Sequence, residues 1–212
     1  MPVQRVVGRI PEPFMLERRL RGLCILESIA GARFPMASGS LVGNQLRFRL
    51  EDGAGNDLNA VVASDAGFIQ GFDHESPMGP YATESTCVGI FEGFPPALVD
   101  ALSTTPTDDR FPTPDLDVEV PPTTFCVWWD AEKRAWTHGP VQFPEMDPLD
   151  DDGAELLISR LNPDRFVDEL GWNEATVRGV FELGDCDEAT AVRLNPSVDW
   201  ARVRGVIGAL KR

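Results

Sequence analysis

The sequence predicts an α+β protein: an antiparallel sheet of about five or more strands built from residues 40–143, followed by a C-terminal helical array. Three observations carry that expectation. Apolar and polar residues alternate between turn-rich stretches over residues 40–72, a second hairpin signal follows at 125–137, and after Pro144 the apolar spacing becomes helical.

The N-terminal piece is punctuated by Pro2, Pro11 and Pro13, and residues 14–29 are apolar and Arg-rich, compatible with a short helix or with a helix followed by a strand. Leu41, Leu46, Phe48 and Leu50 then alternate with Gln45, Arg47 and Arg49, the period of a half-buried strand. Glu51 to Asp57 is composed of turn residues, and strands are expected at 58–63 and 68–72, giving an antiparallel meander. Residues 73–87 read as a polar loop, 95–102 as a short helix opened by proline, and 104–122 as a connector holding five prolines. The residues around Trp128, Trp129 and Trp136 bracket Asp130-Ala131-Glu132-Lys133 as a hairpin that extends the first sheet, with the tryptophans packed on it.

Five helical segments are expected beyond residue 148. The first four cover 154–161 behind Asp150-Asp151-Asp152, a segment opened by Asn162-Pro163 with Phe166, Val167 and Leu170 on one stripe, the stripe of Val177, Val180 and Phe181, and 185–194. Trp200, Val203, Ile207 and Leu210 mark a last amphipathic helix. Leu161-Asn162-Pro163 recurs as Leu194-Asn195-Pro196 and reads as two similar helix starts rather than a repeat. The expected organisation is a sheet domain at 1–148 and a helical portion at 149–212 packed on it.

The 212 residues carry 34 acidic against 19 basic side chains, a net charge of −15, with 42% hydrophobic residues. Such a chain can bury a core, which excludes wholesale disorder. No window holds 18 consecutive apolar residues and the start lacks an apolar signal stretch, so a cytoplasmic protein without a membrane partner is expected. Arginine outnumbers lysine 17 to 2, a composition suggesting a GC-rich bacterial genome. From Leu50 to Asp109 there is no Lys or Arg and there are eleven carboxylates. A surface of this kind repels phosphate backbones and attracts basic proteins.

Cys24, Cys87, Cys126 and Cys186 match neither a zinc knuckle nor a dense disulfide framework and read as buried apolar residues. Only His74 and His138 could serve as a base beside one of them. Phosphate-binding glycine loops and serine-hydrolase elbows are absent, and no cofactor or metal is expected. The acids Glu145, Asp147, Asp150, Asp151, Asp152 and Glu155 lack the spacing of a calcium loop and suit a solvated helix start.

The candidate site is the loop after the third strand, where Asp73, His74 and Glu75 are consecutive and Ser76 and Tyr81 follow among Pro77, Gly79 and Pro80. As a catalytic group, His74 would carry a proton with Asp73 and Glu75 as acid, base or metal partner; alternate residues of an extended chain face opposite ways, which makes a three-ligand set poor. As a binding loop it is preorganised by proline. As structure, Asp73 or Ser76 caps the turn, His74 bonds a backbone carbonyl, and Tyr81, the single tyrosine, anchors the loop to the core.

Residues 166–178, with Leu170-Gly171, Trp172-Asn173 and Glu174-Ala175-Thr176-Val177-Arg178, resemble the turn and recognition-helix start of bacterial helix-turn-helix regulators. That resemblance implies DNA contact through residues 164–182. Residues 107–212 hold 11 basic against 22 acidic side chains, which opposes it, so no nucleic-acid partner is expected. The favoured function is an acidic interaction module for a basic protein partner, resembling small bacterial immunity and antitoxin proteins in charge and size alone. The alternative is a metal-assisted hydrolase or acid/base enzyme using Asp73, His74 and Glu75.

Overall fold

The computed structural model describes residues 2–31, 35–141 and 152–211. Its elements are α1 (Pro2–Val6), α2 (Pro13–Ala30), β1 (Ala37–Val42), β2 (Gln45–Glu51), β3 (Asp57–Val62), β4 (Gly67–Phe72), α3 (Val99–Ser103), β5 (Phe111–Thr113), β6 (Leu116–Val120), β7 (Phe125–Asp130), β8 (Ala135–Thr137), α4 (Ala154–Ser159), α5 (Asp164–Asp168), α6 (Glu174–Leu183), α7 (Glu188–Leu194) and α8 (Trp200–Leu210). The fold is α+β, with a six-stranded sheet ordered β1-β2-β3-β4-β7-β8. All of its neighbouring strands are antiparallel.

Residues 14–29 prove to lie in one 18-residue helix, α2, rather than in a helix and a strand. Its second half, residues 22–29, is buried at every position because it is covered on several sides. Leu46, Phe48, Leu50, Leu58, Ala60 and Val62 share one buried cluster with α2, and so do Val177, Phe181, Val203 and Ile207 of the C-terminal helices. At the crossing with α6 the backbones come so close that a Cβ on Gly22 would lie 2.5 Å from the Phe181 Cα, and glycine alone fits. The boundary expected near residue 148 falls outside the described residues, as do Glu145, Asp147, Asp150 and Asp151. Glu155 of the same acidic run pairs with Arg5 and Arg9.

The expected single strand over 41–50 is two strands, split by Gly43 at a φ of 61° and Asn44. A two-residue turn with positive φ matches the twist of a hairpin. β3 and β4 are buried on both faces. Their second face, with Cys126 and Trp128 of β7, meets Met78, Ile90, Phe91, Phe94 and Leu102 in a separate apolar cluster. The segment 73–122 is therefore a cap over one half of the sheet. Its expected connector at 104–122 in fact carries the β5–β6 hairpin, a second small sheet. Proline disguised it, since Pro112 can sit in a two-stranded edge where no further ladder is needed.

The C-terminal helices form where expected, with shifted caps. Asn173, Asp187 and Asp199 cap α6, α7 and α8 with their side chains. Asn162 bonds the Asp164 N–H, so Pro163 precedes α5 rather than opening it. The second Leu-Asn-Pro is a helix end, not a start: Asn195 closes α7 and its amide donates to the Ile29 carbonyl at 2.7 Å. No described helix is long and apolar enough to cross a membrane.

Candidate functional site

The site begins in the β2–β3 turn. Asp52 Oδ1 accepts from the N–H groups of Ala54 at 2.8 Å and Asn56 at 3.2 Å, and the Asn56 amide donates to Asp52 Oδ2 at 2.8 Å. Burial alone would raise the Asp52 carboxyl, but these donors together hold it below the usual carboxylate range. The Asn56 side chain is thereby oriented, with its Oδ1 facing the loop after β4. There it accepts the His74 backbone N–H at 2.9 Å and meets His74 Nδ1 at 2.8 Å.

A backbone N–H can only donate, so the oxygen assignment of Asn56 is secure and Nδ1 must carry the proton. Nε2 is then the outward-facing nitrogen of the ring, 4.0 Å from Glu75 Oε1, on an imidazole that is 43% exposed. The structure thus corrects one expectation: His74 bonds the Asn56 side chain and not a backbone carbonyl.

Asp73 and Ser76 both hold the turn. Asp73 Oδ1 accepts the Glu75 N–H at 3.0 Å, and Ser76 Oγ accepts the Met78 N–H at 3.1 Å, which seats Met78 in the second core. The Asp73 N–H donates to Thr124 Oγ1, and its side chain abuts Gly153, where a φ of 74° and the missing Cβ allow the approach. No hydrogen bond joins Asp73 to His74 among the described residues. Nor does any group of three or more described His, Cys, Asp or Glu side chains lie where it could hold a metal ion.

Tyr81 differs most from expectation. It is 55% exposed, its ring meeting Phe72 and Phe111 edge-on at 5.7 and 4.9 Å, and its hydroxyl donates to Asp109 Oδ2 at 2.9 Å. Local desolvation and the carboxylates of Asp109, Asp57 and Asp108 push the phenol up to about 12. It is a presented aromatic side chain held by two rings, not an anchor sunk in the core.

The carboxylates around it were missed because they come from two segments far from Tyr81 and from each other in sequence. Asp57 opens β3 and Asp108 and Asp109 precede β5, and only the hairpin register and the cap bring them together. Asp57 is raised to about 6, chiefly by burial, with Arg49 opposing and Glu51 and Asp52 adding to the rise. A carboxyl raised in the folded state favours folding when protonated. Stability from this group is therefore greatest below about pH 4 and is lost as the pH climbs through about 6. Asp57→Asn is expected to remove that slope and to stabilise the protein at pH 7 by about 1 kcal/mol, after discounting for partial exposure and the loss of Arg49's partner. Urea melts at pH 4 and pH 7 read this out; a variant equally stable or weaker at pH 7 contradicts it.

The cysteines are not activated. Burial pushes the Cys24 thiol up to about 12 and the Cys186 thiol up to about 11, and raises Cys87 and Cys126 as well. None of the family models, curated proteins or solved structures compared with the chain matches it.

Proposed function

We propose that this protein is an acidic interaction module that engages a cationic protein partner through the face centred on Tyr81. One observation carries the reading: an exposed tyrosine, stiffened by Phe72 and Phe111, stands among Asp57, Asp108 and Asp109. Asp108 and Asp109 make no ion pair among the described residues. From residue 50 to residue 132 the single cation is Arg110, which bonds the carbonyls of Thr105 and Glu119 rather than a carboxylate. Unneutralised carboxylates steer a cationic partner, and a rigid aromatic at the centre of the contact supplies anchoring area at low entropy cost.

Titration of a hexalysine peptide into labelled protein at low salt tests this face. Amide shifts are expected to centre on Tyr81 and on residues 108–110, to weaken several-fold in Tyr81→Ala with Asp109→Asn, and to fade at about 0.5 M salt. Shifts spread evenly over all exposed acids, or unchanged in the variant, overturn it.

A second reading, acid/base chemistry at His74, rests on the Asn56 bond that holds Nδ1 and leaves Nε2 facing solvent. It requires a turnover, on a panel of activated esters and phosphate esters, that His74→Gln abolishes. No nucleic-acid partner is proposed. On α6, Arg178 is tied to Glu174 and Asp164, and the face that packs on α2 carries Val177, Val180 and Phe181.

A further inference from the structure

The cap leaves the outer face of β1 and β2 uncovered, and Arg47 and Arg49 stand on that face. Over the outer face of β1, β2 and β3 lies a groove of about 330 Å³, bounded by Ser38, Ser40, Arg47, Arg49, Val61 and Pro106. The register explains the grouping. Ser40 is opposite Arg47 and Arg47 opposite Val61, while Ser38 is opposite Arg49 and Arg49 opposite Asn59, so two cross-strand rows present alternating hydroxyl, guanidinium and apolar or amide groups.

The two arginines are not equivalent. Arg49 is neutralised by Glu51 at 2.8 Å and Asp57 at 3.8 Å. Arg47 has no carboxylate partner among the described residues, in a chain where acids outnumber bases 34 to 19. Its terminal nitrogens reach only the backbone oxygen and hydroxyl of Thr104, at 3.4 and 3.2 Å, which fixes the head at the rim of the groove. Its Nε, and that of Arg49, are buried with no acceptor. A guanidinium carries five N–H donors, and the terminal nitrogens of Arg47 keep N–H groups beyond the two given to Thr104. An anion in the groove meets these with charge-assisted bonds in place of weaker bonds to water.

We infer that this groove binds a small molecule bearing one anionic group, a carboxylate or a phosphate, on a flat apolar body. The anion lies on Arg47, the serine hydroxyls bond its remaining oxygens, and the body covers Val61 and Pro106. The volume suits a ligand of that size, and the mixture of apolar wall with a few convergent polar groups is that of a small-molecule site. The site is separate from Tyr81 and stands whether or not the partner-binding face does.

The test is a spectral titration with phenyl phosphate, benzoate, inorganic phosphate, benzyl alcohol and benzylamine. Saturable amide shifts at Arg47, Arg49, Val61 and Thr105 are expected from the aromatic anions, and the stronger of phenyl phosphate and benzoate identifies the anionic group. Benzyl alcohol and benzylamine leave these positions unmoved, and inorganic phosphate binds more weakly than phenyl phosphate. Arg47→Met weakens binding about tenfold or more, and Arg47→Lys restores part of it. Ser40→Tyr, which fills the groove from an exposed edge strand, abolishes binding with Arg47 intact. Shifts that the neutral probe reproduces, affinity unchanged in Arg47→Met or Ser40→Tyr, or no shift from either aromatic anion overturns the inference.

Discussion

Glu27→Ala is expected to lower the unfolding free energy by about 3 kcal/mol, read from urea denaturation at pH 7. Glu27 is 3% exposed near the end of α2, where a negative charge opposes the helix dipole. It is kept there by the Arg165 guanidinium and by the Ala37 N–H, which donates to its Oε1 at 3.3 Å. Arg165 in turn lies over the Phe166 ring at 4.3 Å, and burial lowers its pKa. Deleting the carboxylate strands both a half-buried cation and the first N–H of β1. The joint change Glu27→Leu with Arg165→Met is expected to recover much of the loss, since well-packed apolar residues often replace a buried pair without penalty. A loss below about 1 kcal/mol in the single variant would show that the pair is solvated and not a tie between α2, α5 and β1.

Asp152→Ala comes next, at about 3 kcal/mol. The carboxylate is 1% exposed, with Oδ2 accepting the Val3 N–H at 3.0 Å and Oδ1 accepting the Ala154 N–H at 2.9 Å. It therefore ends two orphan donors at once, one in α1 and one in α4. Its own carbonyl accepts the Thr124 hydroxyl at 2.7 Å, and the same hydroxyl oxygen accepts the Asp73 N–H at 3.2 Å. This residue thus links the N-terminal helix, the sheet and the candidate loop to the first C-terminal helix. Loss of the Tyr81 and His74 loop amide pattern in Asp152→Ala, ahead of global unfolding, would display that link; a variant as stable as the parent would contradict it.

The parts of this fold that the sequence disclosed are those whose pattern has a local cause. Leu46, Phe48 and Leu50 alternate because one face of β2 meets α2 and the other meets solvent, and the Val177, Val180 and Phe181 stripe is the face of α6 on α2. The hidden parts are those covered on two sides. The second half of α2, β3 and β4 are buried nearly all round, so periodicity had nothing to report there. The β5–β6 hairpin was masked by proline, and the Gly43-Asn44 turn showed only as a break in parity, Leu41 and Leu46 being five residues apart. The loop residues Asp73 to Ser76 could be picked out as unusual, and their turn bonds follow from Asx and Ser chemistry. Asn56 could not, because its role depends on the register that sets β3 beside β4. Nor could the surroundings of Tyr81, which come from residues 24 and 28 positions away.

The measurement that bears most directly on the proposed function is a capture from native lysate with tagged protein, washed at low and then high salt, alongside Tyr81→Ala and a variant carrying Asp57→Asn, Asp108→Asn and Asp109→Asn. A stoichiometric basic protein, held by the parent, released by about 0.5 M salt and lost from both variants, is the predicted result. A bait that captures nothing at low salt, or holds its partner equally well in both variants and at high salt, would contradict it.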